Sequence, residues 1–218
     1  MPLSLRLYED TFSADAVLDG ALPAMPRMIF IVHGSATIAG RAYGDGEAWC
    51  GEGSISVKPG DAGVTCWRFE LAPNSAANGA ARGRGVVSHE KLIAALDTLP
   101  AGDLLMRGDS VAFPPGGCAF LHTHQGPGIR CLIDGGIRID THGRSTSYGP
   151  GGAWFESGPE PVFAQGADRP TRFIRVMILP RALIGKSSIA YVNDDDKARP
   201  KSQQYKIFVD APIARPEG

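Results

Sequence analysis

Short apolar runs, broken by glycine, proline and charged residues, recur along most of this chain, and few stretches show a helical period. Residues 29–38 (IFIVHGSATI), 65–71 (TCWRFEL), 130–139 (RCLIDGGIRI) and 171–177 (TRFIRVM) all have the length and composition of half-buried or buried strands. One segment departs from this. Ser88 reads as an N-cap, and the following HEKLIAALDTL sets Leu92, Ile93, Leu96 and Leu99 on one helical face before Pro100-Ala-Gly102 stops it. That spacing predicts a linker helix over 88–99. Beyond Pro180 the pattern thins into an arm, residues 181–218. It holds strand candidates at 188–192 and 205–209 and an acidic turn at 194–196.

The strand pattern repeats. Residues 43–53 read YGDGEAWCGEG and residues 148–158 read YGPGGAWFESG, with six of eleven positions identical. Upstream, 29–38 parallels 130–139, and the closing strands 65–71 and 171–177 follow each copy. Each half therefore offers a buried strand, a glycine turn, a short strand and a Tyr-Gly-x-Gly corner feeding an Ala-Trp strand, which predicts two copies of one β-unit. The boundaries that follow are 1–71 for a first barrel, 72–102 for a linker, 103–180 for a second barrel and 181–218 for the arm. Trp49, Trp154, Tyr43 and Tyr148 recur in both copies, so packing at the corners accounts for them better than ligand stacking.

Composition changes this picture little. The 28 Gly and 17 Pro in 218 residues supply the turns, and 43% apolar with 21% charged residues is ordinary for a globular protein. A net charge of −1 gives no reason to expect nucleic acid or a membrane surface as partner. With neither an export signal nor a long apolar run, the expected location is cytoplasmic, where the four cysteines would be small buried hydrophobes.

The chemistry concentrates in residues 116–135, GGCAFLHTHQGPGIRCLIDG. His122 and His124 lie two apart on a strand, so both imidazoles point the same way, half of a transition-metal site. The first copy has no such pair, because Ala21 and Pro23 stand at the matching places. The spacing Gly116, five residues, His-Thr-His, three residues, Gly128, six residues, Gly135 resembles the first motif of the cupin superfamily, G(x)5HxH(x)3–4E(x)6G. It departs only at the glutamate, which is Gly128 here. The downstream histidine of the second motif is absent too, since Val162 or Phe163 falls there.

The resemblance implies an all-β fold: a double-stranded β-helix (jelly-roll) bicupin with a short linker helix and a C-terminal arm. It also implies one divalent transition metal, Fe, Mn, Ni or Zn, held by His122, His124 and a replacement carboxylate. Glu156 is the candidate, sharing a strand face with Trp154, although it could equally be a solvated residue entering the turn that follows. Arg130 has the parity of position 128 and should face the barrel interior or reach its rim. Inside, it needs Glu156, Asp134 or a substrate carboxylate as counter-charge. Gln125 is placed to orient a ligand or bond a histidine ring. The expectation is a metal-dependent enzyme acting on a small carboxylated substrate, with Arg130 and Glu156 as catalytic residues and a homodimer as its assembly. The alternative is a non-catalytic binding or sensing bicupin with an eroded metal site.

Overall fold

The computed structural model describes residues 2–76 and 79–216, and they divide into two compact units, one up to Asp97 with Ile213 onward, the other Thr98–Pro212. Both are built of antiparallel strands.

The first unit contains β1 (Leu3–Leu18), β2 (Arg27–Ile38), β3 (Arg41–Gly44), β4 (Ala48–Gly51), β5 (Val57–Pro73) and β6 (Gly83–Leu96). They form one sheet ordered β3-β2-β5-β1-β6, with β4 also on β2. Long strands make the unit: β2 pairs β4 through its first half and β3 through its second, with register shifts against β5 at Ile31/His33 and Gly34/Ala36. These irregularities bend the sheet around an apolar cluster that includes Phe12, Ile29, Ile31, Ile38, Val57 and Val64.

The helix expected over 88–99 is not formed. Those residues belong mostly to β6, which pairs antiparallel with β1 from Leu3↔Leu96 to Leu18↔Gly83. The reason is the open edge of β1. Its backbone N–H and C=O groups are satisfied by a neighbouring strand, which outweighs the modest helical preference of HEKLIAAL. Strand alternation buries Ala94 and Leu96 and leaves Ile93 41% exposed, and a bulge between Leu7 and Tyr8 shifts the pairing beyond Leu92. The helical stripe was an accident of spacing.

The second unit has two sheets. One is β11 (Arg144–Tyr148), β10 (Ile137–Thr141), β13 (Val162–Gly166), β8 (Cys118–His124) and β15 (Ile189–Tyr191). The other is β12 (Ala153–Glu156), β9 (Gly128–Asp134), β14 (Thr171–Pro180), β7 (Leu104–Phe113) and β16 (Gln204–Ile213). The core lies between them, with Ile137, Ile139, Val162 and Ala164 from the first meeting Val111, Phe113, Leu132, Trp154 and Phe173 from the second. The arm supplies β15 and β16, one at an edge of each sheet, close to the strands its sequence predicts, and the acidic turn is the short helix α1 (Asp194–Ala198).

The repeat has a structural counterpart inside each unit. Gly34 and Gly135, aligned in sequence, have φ of 86° and 84°, and a Cβ would lie 2.2 Å from Gly63 O and 2.4 Å from Pro170 O. Only glycine fits either place. At the Tyr-Gly-x-Gly corners the Gly46 N–H donates to Ile31 O (2.9 Å) and the Gly151 N–H to Leu132 O (2.7 Å). The return bonds, Ile31 N–H to Glu47 O and Leu132 N–H to Gly152 O, are both 2.9 Å.

Candidate metal centre

The central face of β8 carries the histidine pair. His122 and His124 are each 5% exposed, and their ring centroids are 4.8 Å apart, edge to face. The His122 Nδ1–H donates to Phe120 O at 2.6 Å, which leaves Nε2 with a free lone pair. His124 Nε2 stands 3.6 Å from Glu156 Oε2, and its Nδ1 is buried without a hydrogen-bond partner. Burial, reinforced by the charges of Arg130 and Arg175, holds the His124 pKa well below its ordinary value. Burial also lowers that of His122, against the pull of the Phe120 carbonyl. Both rings are therefore neutral at pH 7, the form that binds metals.

Glu156 reaches this space from the last position of β12. Its Oε1 accepts a hydrogen bond from Trp154 Nε1–H at 2.9 Å, so the two share a face as alternation predicts. Arg130, on β9 opposite Trp154, is 1% exposed and faces the same interior. Its Nη1 donates to Gly128 O (2.7 Å), and its Nη2 lies 2.7 Å from Glu156 Oε2. That last pair is close but misaligned for a hydrogen bond, so the attraction is coulombic and both atoms keep an unfilled bonding direction. Burial lowers the Arg130 pKa to about 10, with Glu156 opposing, and the group stays charged at neutral pH.

Position 128 explains the missing glutamate. A Cβ at Gly128 would lie 2.6 Å from Val176 O, 2.7 Å from Met177 Cγ and 3.0 Å from Arg130 Nη1, so backbone, Met177 and Arg130 fill the room a longer residue would need. Arg130 thus finds its counter-charge within the chain, in Glu156 rather than Asp134, which instead pairs with Arg172 at 3.1 Å on the surface. Gln125 does not join the group. It is exposed just past the end of β8, where its backbone N–H donates to Ser188 O.

Two further charged residues were not singled out in the sequence. Asp109 on β7 and Arg175 on β14 face each other across the ladder and form a bidentate ion pair, with Nε–Oδ1 at 2.9 Å and Nη2–Oδ2 at 2.6 Å. Burial opposes the Arg175 charge, but Asp109 outweighs it and raises the pKa. No local signal marked them, since β7 also carries Arg107 and Ser110 and β14 also carries Arg172. The first unit has a counterpart, where Arg68 on β5 bonds Asp10 on β1 at 2.6 Å and Arg27 bonds Glu70 at 2.7 Å, all buried.

The residues meet part of what a metal needs. A separation of 3.6 Å between His124 Nε2 and Glu156 Oε2 is near the ~3.4 Å expected of two ligands on one tetrahedral ion. Yet among the described residues no group of three His, Cys, Asp or Glu side chains is arranged to hold an ion. The polar layer, with Arg130 and Arg175 against Glu156 and Asp109, is balanced without one.

The likeness to solved structures bears on the fold. Bacillus subtilis oxalate decarboxylase, a protein with Mn(II) centres, superimposes with a TM-score of 0.63 at 11% identity, covering 89% of this chain and 73% of that one. The chain has the cupin fold. AerE from Microcystis aeruginosa matches with a TM-score of 0.56 at 12% identity, covering 79% of this chain and 87% of AerE. No family model and no curated protein matches the sequence. At such identity the cupin likeness extends to the path of the chain and leaves the chemistry to the residues. Among the described residues, no helix is long and apolar enough to cross a membrane.

Proposed function

We propose that this protein is a bicupin whose second barrel binds one divalent transition metal through His122, His124 and Glu156 and acts as an enzyme on a small carboxylated molecule. The observation that carries the proposal is Glu156 Oε2, a carboxylate oxygen buried without a hydrogen-bond partner 3.6 Å from Nε2 of the neutral His124 ring. Buried polar atoms left unpaired are costly, and a centre that gains a ligand recovers that cost. A divalent ion bound there would supply Lewis acidity to a coordinated oxygen. Trp154 and Arg130 orient the Glu156 carboxylate, so Arg130 is a positioning residue here and does not anchor a substrate. The recurring glycine turns, corner hydrogen bonds and buried Arg–Asp pairs support two barrels of one design. The first barrel, with Ala21 and Pro23 in place of the histidines, is the metal-free member.

The test is metal analysis of protein purified without a histidine tag. About one equivalent of Fe, Mn, Ni or Zn is expected, lost in the His122→Ala/His124→Ala double variant while the far-UV spectrum is unchanged. Stoichiometric metal retained in that variant would place the site elsewhere. The second reading, a non-catalytic binding bicupin, is favoured by one observation: Arg130 already neutralises Glu156. A metal-free protein that resists loading would decide for it.

A further inference from the structure

A cavity of about 230 Å³ lies in the second unit between the arm and the barrel strands, and none of His122, His124, Arg130 or Glu156 lines it. Ile189 and Tyr191 of β15 and Tyr205 and Ile207 of β16 make most of its wall apolar, while Arg175 and Gln203 supply polar groups. Tyr191 stands between this space and the histidine pair, its ring centroid 6.3 Å from that of His122.

Two polar groups at the cavity are incompletely used. Asp109 takes Nε and Nη2 of Arg175, leaving Nη1 without a hydrogen-bond partner among the described residues. Gln203 is only 7% exposed; its Nε2 donates to Tyr191 Oη at 3.3 Å, and its Oε1 is buried with no partner. An unpaired amide oxygen takes a hydroxyl donor. The charge at the wall is positive: Arg107 is matched by Asp210 and Arg175 by Asp109, while Lys186 and Lys201 add two further cations. Lys201 Nζ lies 4.2 Å from the Tyr191 ring centroid, which binds the charge to the aromatic wall.

We infer that this cavity binds a single-ring aromatic hydroxy acid, its carboxylate on Arg175 Nη1 and Lys186, its hydroxyl on Gln203, and its ring against Tyr191 and Tyr205. The volume suits one ring. The inference goes beyond the proposed function, since this site is separate from the histidine pair and needs no metal.

The experiment is calorimetric titration of chelator-treated protein with 4-hydroxybenzoate, benzoate and 4-hydroxybenzamide. Saturable binding of 4-hydroxybenzoate is expected, with 4-hydroxybenzamide weaker by about tenfold because the charge-assisted bond is lost. Benzoate should be weaker by about fivefold, because it leaves Gln203 unpaired. Gln203→Leu should abolish the preference for the hydroxyl. Tyr205→Ala, at a half-exposed edge position that tolerates truncation, should weaken 4-hydroxybenzoate by about fivefold. The His122→Ala/His124→Ala variant should bind within about twofold of the parent, because those rings do not line the cavity. Equal affinity for the amide, no saturable binding at millimolar concentration, or binding untouched by both Gln203→Leu and Tyr205→Ala would overturn the inference. Binding lost only in the histidine variant would move the ligand to the metal centre, overturning this site while leaving the proposed function standing.

Discussion

Replacing Glu156 by Gln removes the anion paired with a guanidinium that is 1% exposed. At 2.7 Å, with an effective dielectric constant of about 20, the attraction lost is roughly 6 kcal/mol. The glutamine carbonyl still accepts from Trp154 or Arg130, and Arg130 keeps its bond to Gly128 O, which recovers part of this. A net loss of about 3 kcal/mol follows, at the lower end of the cost of breaking a buried ion pair from one side. For a unit of this size that is about 10 °C in Tm. The assay is urea denaturation of metal-free protein, followed by tryptophan fluorescence and circular dichroism. The double variant Arg130→Met/Glu156→Leu, which removes both charges and fills the space, should recover more than half of the loss. A Glu156→Gln variant within about 0.5 kcal/mol of the parent would refute the reasoning, as would a double variant less stable than the single one.

The histidine pair makes stability depend on pH. Both pKa values are lowered in the folded state, so below the unfolded value of 6.5 the unfolded chain binds more protons, and stability present above 6.5 is lost as pH falls. Denaturation midpoints of metal-free protein between pH 6.5 and 5 should fall by up to about 1.4 kcal/mol per pH unit for each imidazole. The His122→Ala/His124→Ala variant should be nearly flat across that range, and an unchanged slope there would show other groups responsible. At the paired glycine turns, Gly34→Ala and Gly135→Ala each force a Cβ against a carbonyl oxygen in a left-handed conformation. Each should cost about 3 kcal/mol or more in thermal unfolding. A loss under about 1 kcal/mol at either would mean that the turn can relax.

The parts of the site carried on single strands were legible because strand parity is local. His122 with His124 and Trp154 with Glu156 share faces whatever their strands later meet. The inward aim of Arg130 followed by the same rule, whereas its partner did not: choosing among Glu156, Asp134 and a ligand required knowing that β12 lies beside β9. Asp109 and Arg175 went unnoticed because each has meaning only through the other, 66 residues apart in sequence. The helix expected at 88–99 failed for a related reason. Apolar spacing there satisfied a helical face, but the deciding term was the unpaired edge of β1, some 80 residues upstream.

What the sequence determined by itself, then, was the strand alternation, the paired glycine turns and a histidine pair pointing one way. These follow from backbone sterics and side-chain alternation within a few residues, and no tertiary contact changes them. The tertiary structure alone decided which buried charges neutralise one another, how the arm lines a cavity with β15 and β16, and whether an amphipathic segment becomes helix or strand. Those outcomes depend on desolvation and on backbone pairing between distant segments, energies that exist only once the chain has brought the groups together.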